Sequence, residues 1–269
     1  MHDLAIREDG RDRAVVRVQP FAGPAHIAVL VDTSSFIAGA AVTYRSAIAA
    51  FIARMAQENK VAIYEFGDRA NRVVAFTSDA AQLTEGVGRL TARASDVSRL
   101  LDAIDLACRD LRAAEARRPV IVSISTGATD VSTTTGGAAV KLLIKNAVSL
   151  HAVAVTNRAS PAAPSLTSAS GQSIIERHDR LTQLGVSGEG ERERTQVLRE
   201  GTAKTAGNLH EVTSAIGIGP ALDRVYAELR GTYRISYDRE GSGRSTDLQV
   251  GLMLQDVVVR AIPAPWGTK

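Results

Sequence analysis

The sequence of 269 residues has one cysteine, few aromatic residues and no long apolar run. A single cysteine, Cys108, excludes any disulfide within the chain. Aromatic residues make up only 4% of the chain, so Ala, Val, Leu and Ile must fill most of the core, as is typical of helices packed on a Val/Ile-rich sheet. No apolar run reaches the roughly 18 residues needed to span a bilayer, and the polar start of the sequence does not match a signal peptide.

Several motifs that would indicate catalysis or nucleotide binding are also missing. There is no Walker-type glycine loop and no Gly-x-Ser-x-Gly turn, and the five histidines are scattered without the spacing of metal ligands. The 32 Lys and Arg residues and the 29 Asp and Glu residues are mixed along the chain. Because no basic stripe with interleaved aromatic residues occurs, we expect no nucleic-acid partner. These absences predict a protein that is not an enzyme.

Segments typical of strands and helices alternate along most of the chain. Strands are predicted at Ile27–Val31 and Val61–Phe66, with a helix at Val42–Gln57 between them. Asp79 and Asp96 are each predicted to cap a further helix, since Asp accepts hydrogen bonds from the first backbone N–H groups. Alternating strands and helices predict an α/β fold with a doubly wound, mostly parallel sheet flanked by helices, similar to a Rossmann fold.

The two ends of the chain have a different pattern. Residues 1–24 are predicted to form a β-hairpin, and residues 232–269 alternate like antiparallel strands. We expect these two ends to pair into a small β layer beside an α/β domain at residues 25–231. A low-complexity insertion at residues 156–193 follows the predicted strand Leu150–Val155. It should therefore lie over the carboxyl edge of the sheet, and so long a connection is usually functional or disordered.

The first predicted parallel strand runs directly into Asp32 and Ser34. In open α/β sheets, ligands bind at the carboxyl ends of the strands, so these two side chains are expected to face solvent there. A carboxylate and a hydroxyl two residues apart can share a hard cation such as Mg²⁺, which prefers oxygen ligands.

Three segments of the chain resemble the von Willebrand factor type A domain: Asp32–Phe36 with its preceding strand, Ser98–Ile104 and Val120–Gly127. Their order and spacing are similar to those of the three site loops of that family. The flanking segments 3–10 and 229–237 are similar to those of a bacterial branch called acidobacterial-type, von Willebrand A-related proteins. The resemblance implies a Rossmann-like fold, a protein-binding or adhesion function, and export to the periplasm or medium, with the cytoplasm left open.

The metal-ion-dependent adhesion site of this family has Asp-x-Ser-x-Ser on the first loop, Thr on the second and Asp on the third. By this resemblance Asp32 and Ser34 match, and Ser98 offers a hydroxyl in place of the Thr. Phe36 replaces the second Ser, and Thr126 replaces the third-loop Asp. Because Mg²⁺ requires near-octahedral oxygen coordination, these replacements predict a degenerate site. In it, Asp32 is expected to hydrogen-bond the hydroxyls of Ser34, Ser98 and Thr126.

Three functions remain open from the sequence. The first is metal-independent binding of a protein partner through Phe36, the segment 126–135 with Asp130, and the insertion at 156–193. The second is a Mg²⁺-dependent adhesin in which Asp130 replaces the missing acid. The third is a structural subunit of an enzyme assembly. The sequence does not indicate an oligomeric state.

Overall fold

The computed structural model describes residues 4–21, 23–34, 40–92, 97–156, 188–238, 248–252 and 259–262. Numbered along the chain, the strands are β1 Leu4–Glu8, β2 Arg11–Arg13, β3 Val15–Pro20, β4 His26–Asp32, β5 Lys60–Phe66, β6 Ala70–Thr77, β7 Val97–Ser98, β8 Pro119–Ser125, β9 Thr129–Asp130, β10 Ser149–Val155, β11 Leu209–Val212, β12 Tyr233–Tyr237 and β13 Leu248–Leu252. The helices are α1 Ala41–Ala56, α2 Ala80–Arg89, α3 Leu100–Ala113, α4 Gly136–Lys145, α5 residues 188–204 and α6 Ile218–Arg230.

The central sheet has six strands in the spatial order β11-β10-β8-β4-β5-β6. Neighbouring strands are parallel except for the edge pair β5 and β6, which is antiparallel. Strand β8 is buried along its whole length, as expected for a parallel strand covered on both faces. The predicted doubly wound, mostly parallel α/β fold is therefore confirmed.

Two apolar clusters lie on opposite faces of this sheet. Helices α1, α2 and α6 pack on one face, against alternate β4 residues such as Val29 and Val31. Helices α3, α4 and α5 pack on the other face, against Ala28 and Leu30. The alternation along β4 follows from the two-residue period of a strand. Within the described residues, no helix has the length and apolar character needed to cross a membrane.

Strands from the two ends of the chain pair with each other. Strand β1 pairs with β13, and β3 pairs with β12, both antiparallel. Glu8 is buried within this layer, where its Oε2 lies 3.1 Å from Nε of Arg13 and its Oε1 accepts a 3.1 Å hydrogen bond from the hydroxyl of Tyr237. The pairing agrees with the expected β layer, while the division into residues 1–24, 25–231 and 232–269 stays a prediction.

Helix α2 begins as the sequence predicts, whereas α3 does not. The Asp79 carboxylate accepts hydrogen bonds from Ala81 N and Gln82 N, at 2.8 and 3.2 Å. Helix α3 begins only at Leu100, and Asp96 lies outside the described residues. The residues before α3, expected to be helical, instead form β7, which pairs in parallel with β9.

The later part of the chain differs from the sequence prediction in two places. Residues 188–193, predicted to end the loop insertion, are the first described turns of α5. Helix α5 contains a π-helical segment, Val197–Gly201. Within residues 232–269, which the sequence predicts to alternate like antiparallel strands, the described residues 259–261 are not in a strand.

Candidate functional site

The site is built where two neighbouring strands end. Asp32 is the last residue of β4, and Thr126 follows the last residue of β8. These strands pair in parallel, with Val31 opposite Ile124, so the residues after them meet at the carboxyl edge of the sheet. The structure therefore brings together two of the residues that the sequence assigned to different site loops.

Protein donors engage both carboxylate oxygens of Asp32. Oδ1 accepts a 2.9 Å hydrogen bond from the backbone N–H of Ser34. Oδ2 accepts two hydrogen bonds from Thr126, at 2.9 Å from its backbone N–H and at 2.7 Å from its hydroxyl. Because the hydroxyl proton of Thr126 points to Asp32, the 3.1 Å contact between the hydroxyls of Ser34 and Thr126 has Ser34 as donor. The result is a closed network around one carboxylate.

This network is inside the protein, contrary to the expectation that Asp32 and Ser34 face solvent. Both residues are 0% exposed, and Thr126 is 6% exposed. A buried carboxylate without partners is strongly unfavourable, so burial is possible only because hydrogen bonds replace the lost hydration. Thr126, which lacks the charge of an Asp, supplies two of these bonds.

Ser98 is not part of the network. It is 1% exposed, and its Oγ has no hydrogen-bond partner among the described residues. The hydrogen bond expected between Ser98 and Asp32 is therefore absent. The reason is that Ser98 belongs to β7, whose backbone pairs with β9, while the oxygens of Asp32 are already engaged by Thr126 and Ser34.

Asp130 caps the beginning of α3 instead of joining Asp32. Its Oδ2 accepts a hydrogen bond from Leu100 N at 3.0 Å, and its Oδ1 accepts one from Ser132 N at 2.9 Å. The hydroxyl of Ser132 accepts from Leu101 N and Asp102 N, at 3.1 and 3.2 Å. The first N–H groups of a helix need such acceptors. Thus a loop distant in sequence caps α3, which explains why the helix begins later than predicted.

Burial also affects Asp130 as a candidate contact residue. Its 3% exposure raises the pKa of the carboxyl group, and the hydrogen bonds from Ser132 and Leu100 and the charge of Arg194 oppose this increase. Asp130 remains a predicted partner-contacting residue, although its burial weighs against direct contact.

Tyr44 is a site residue that the sequence did not indicate. It is 1% exposed, and its hydroxyl lies 3.1 Å from the carbonyl oxygen of Asp32 and 3.3 Å from that of Ile124. Burial, with the nearby charge of Asp32, raises the pKa of the phenol well above its usual value. Tyr44 therefore stays protonated and ties α1 to the ends of β4 and β8.

Helix α5 packs directly on the third site loop. The guanidinium Nη1 of Arg194 donates to the carbonyl oxygens of Thr126 and Ala128, at 2.9 and 2.6 Å. The Glu193 carboxylate accepts a hydrogen bond from the backbone N–H of Gly136, at the start of α4. Such a contact satisfies one of the free N–H groups of that helix. Helix α5 thus joins two elements at the carboxyl edge.

A glycine permits this close contact. A Cβ atom built on Gly190 would lie 1.9 Å from the carbonyl oxygen of Asp130. No side chain can occupy that position unless α5 moves away from the third loop. The sequence predicts Gly190 to lie in a loop, where glycine is common, so the sequence gives no signal of this contact.

The site residues that the structure describes do not fit a bound Mg²⁺ ion. The hydroxyls of Ser34 and Thr126 bond each other and Asp32, and both Asp32 oxygens have protein donors. Of the four predicted metal-site residues Asp32, Ser34, Ser98 and Thr126, only Ser98 has a hydroxyl without a partner among the described residues, and one neutral oxygen cannot replace the several oxygen ligands that Mg²⁺ requires. Over the described part of the chain, no group of three or more His, Cys, Asp or Glu residues is placed to hold a metal. Phe36 lies outside the described residues, as does most of the insertion at 156–193.

Residues 27–128 match the family model of the von Willebrand factor type A domain. This part of the chain is similar to a von Willebrand factor type A domain. The matched range includes β4 with Asp32, Ser98, and the loop with Thr126. The bacterial acidobacterial-type branch stays a prediction. A comparison with curated proteins found no match.

Several solved structures have a similar fold. Proximal thread matrix protein 1 from the mussel byssus is 14% identical with a TM-score of 0.55, over 82% of this chain and 49% of that one. A structure of the same mussel protein with a zinc-occupied metal-ion-dependent adhesion site has a TM-score of 0.56. A von Willebrand factor type A protein from Catenulispora acidiphila is 14% identical with a TM-score of 0.52, over 84% of this chain and 50% of that one. This chain therefore spans about half the length of these structures.

Proposed function

We propose that this von Willebrand A domain is a non-enzymatic protein-binding module whose loops at the carboxyl edge of the sheet contact a protein partner without a metal ion. Domains of this family are typically protein-interaction or adhesion modules. The observation that carries the metal-independent form is the engagement of both Asp32 oxygens by protein donors. The rigid sheet then serves as a platform, and the loops provide recognition.

The other two functions have less support from the contacts. A metal-dependent adhesin requires oxygen ligands that are free to coordinate, whereas the hydroxyl of Thr126, which the resemblance aligns with the third-loop acid, donates to Asp32. The mussel protein, by contrast, has been solved with zinc in this motif. A structural subunit of an enzyme assembly would also bind a protein, so this function differs from the proposed one only in the identity of the partner. We further propose an extracytoplasmic location, by analogy with the bacterial branch that the sequence resembles.

A site-specific photo-crosslinking experiment tests the proposal. A benzoylphenylalanine residue replaces Thr133, which is exposed in the loop after β9, in the full chain. The matched control carries the same residue at Lys145, which is exposed at the other end of α4. After irradiation in extract of the source cells with EDTA, we expect a protein adduct at position 133 and none at position 145.

Three results would contradict the proposal. Equal adducts at both positions would indicate contact without preference for the carboxyl edge. An adduct only at Lys145 would place the binding surface on the opposite edge. Adducts at Thr133 that form with Mg²⁺ and disappear with EDTA would favour the metal-dependent adhesin.

A further inference from the structure

Arg194 carries a positive charge that no carboxylate pairs with among the described residues. Its described contacts are the two carbonyl oxygens of Thr126 and Ala128, both reached by Nη1. The charge of Arg194 opposes the increase that burial causes in the pKa of Asp130, but both carboxylate oxygens of Asp130 accept hydrogen bonds from backbone N–H groups, those of Leu100 and Ser132. The side chain is only partly buried. A fixed, partly exposed cation therefore lies at the rim of the degenerate site.

The geometry of the guanidinium group determines which donors remain. Nη1 carries two N–H groups, and the two carbonyl oxygens account for both. The N–H groups of Nε and Nη2 have no acceptor among the described residues. These two nitrogens form one edge of the planar fork, and that edge matches the two oxygens of a carboxylate.

Two structural features hold this cation in place. Gly190 lies one helical turn before Arg194 and allows α5 to touch the Asp130 backbone. Glu193 fastens the same turn of α5 to Gly136 at the start of α4. Because backbone contacts hold the helix, the guanidinium loses little freedom when a ligand binds, which favours affinity.

We propose that Arg194 replaces the metal ion as the receptor for an acidic side chain of the protein partner, through the free edge of its guanidinium group. The inference rests on the proposed function and adds the chemistry of the partner, namely an exposed Asp or Glu. A purely structural role for Arg194, holding α5 on the third loop, would use Nη1 alone. The two roles therefore differ in whether Nε and Nη2 bind a carboxylate.

Nuclear magnetic resonance of the ¹⁵N-labelled full chain in EDTA tests this proposal. The probe is the peptide acetyl-Gly-Asp-Gly-amide, and the matched control peptide has Asn in place of Asp. We expect the Nε–Hε signal of Arg194 and the amide signals of Thr126 and Ala128 to shift saturably with the Asp peptide only. The side chain of Arg199, which is exposed and lies 3.7 Å from Glu211, is the internal reference.

Variants test whether binding of the Asp peptide depends on the guanidinium group of Arg194 and on the close contact at Gly190 that positions α5. Arg194→Gln should weaken binding of the Asp peptide roughly ten- to a hundredfold, as expected for loss of a charge-assisted bond. Gly190→Ala should weaken it as well, because the new Cβ pushes α5 off the third loop. Gly188→Ala is the matched control, since a Cβ there meets only the far end of Arg192 at 3.9 Å.

The peptide titration of the wild-type protein tests the proposal by itself, so the test does not depend on whether a variant folds. No saturable shift at Arg194, equal shifts with both peptides, or an equal response at Arg199 would each overturn it. An adduct at position 133 together with a silent Arg194 would contradict this inference and leave the proposed function standing. Failure of both experiments would contradict the proposed function itself.

Discussion

The hydroxyl of Tyr44 and the carbonyl oxygen of Asp32 lie 3.1 Å apart, which joins the first turn of α1 to the end of β4. The same hydroxyl lies 3.3 Å from the carbonyl oxygen of Ile124 on β8. One buried phenol thus spans the two strand ends that carry the site. Its partners are backbone atoms, so its role is to hold the position of the loops.

Replacing Tyr44 with Phe should lower the free energy of unfolding by about 1 kcal/mol, because a buried hydrogen bond is lost while the ring remains. Urea denaturation followed by circular dichroism measures the change. The control is Tyr226→Phe, whose hydroxyl accepts only an exposed hydrogen bond from Arg230. Equal effects of the two substitutions would argue against a structural role for the Tyr44 hydroxyl.

Replacing Thr126 with Val should destabilise the protein more strongly. The substitution keeps the shape of the side chain and removes the 2.7 Å hydrogen bond to the buried carboxylate of Asp32. Hydrogen bonds to charged groups contribute about 1.5–3 kcal/mol, so we expect a loss of about 2 kcal/mol in urea denaturation. Thr84→Val is the control, since its hydroxyl bonds Ala80 in an exposed helical turn. A Thr126→Val protein as stable as that control would show that Asp32 does not need this donor.

The proposed loss of metal binding at this site can be tested by thermal melting. The wild-type melting temperature should be the same in EDTA and in millimolar Mg²⁺, Mn²⁺ or Ca²⁺. A double variant, Phe36→Ser with Thr126→Asp, restores the family pattern and should melt higher with Mg²⁺, because a ligand bound only by the folded state stabilises it. Adding Asp32→Ala should abolish the rise. A cation-dependent rise in the wild type, or none in the double variant by calorimetry, would contradict the alignment of the site.

A cluster at the amino end of the sheet predicts acid sensitivity. The Glu228 carboxylate contacts His151, His210 and Asn208, at 3.1, 3.2 and 2.7 Å. Burial alone would raise its pKa, but the hydrogen bonds from His151 and Asn208 and the charges of the two histidines lower it to about 2. The two histidines are far apart in the sequence. Strands β10 and β11 and helix α6 bring them and Glu228 together only in the fold.

The lowered pKa of Glu228 determines how the stability of the protein changes with pH. The ordinary pKa of Glu is 4.5, so between about 4.5 and 2 the unfolded chain binds more protons and the folded protein loses stability as pH falls. The difference in free energy of unfolding between wild type and Glu228→Gln should therefore shrink as pH decreases from 4.5. Denaturation at a series of pH values measures it, with the exposed Glu211→Gln as control. A difference that is independent of pH would contradict the lowered pKa.

The sequence predicted the sheet well because buried parallel strands are continuous apolar runs. The segment before Asp32 is such a run, and Asp79 capped its helix by purely local contacts. Helix α3 was placed wrongly at its start because Asp130, about thirty residues away, provides the cap.

The candidate site was predicted in outline only. The order of the loops indicated that Asp32, Ser34 and Thr126 meet, since parallel strands end at one edge. The contributions of Tyr44 and Arg194 depend on tertiary packing, and no motif in the sequence marks either residue as part of the site. Burial of the Asp32 network could not be predicted either, because it depends on which elements pack over the edge.

The pairing of β3 with β12 has a consequence for protein synthesis. About two hundred residues separate the two strands, so at roughly 5–20 residues per second β3 waits roughly 10–40 s on the ribosome before its partner exists. In the folded protein Val16 and Val18 of β3 are already exposed, at 64% and 36%. An unpaired strand with apolar side chains can pair with the same strand of a neighbouring nascent chain. Strand β3 is therefore a segment at which rapid expression on crowded ribosomes would produce misassembled chains.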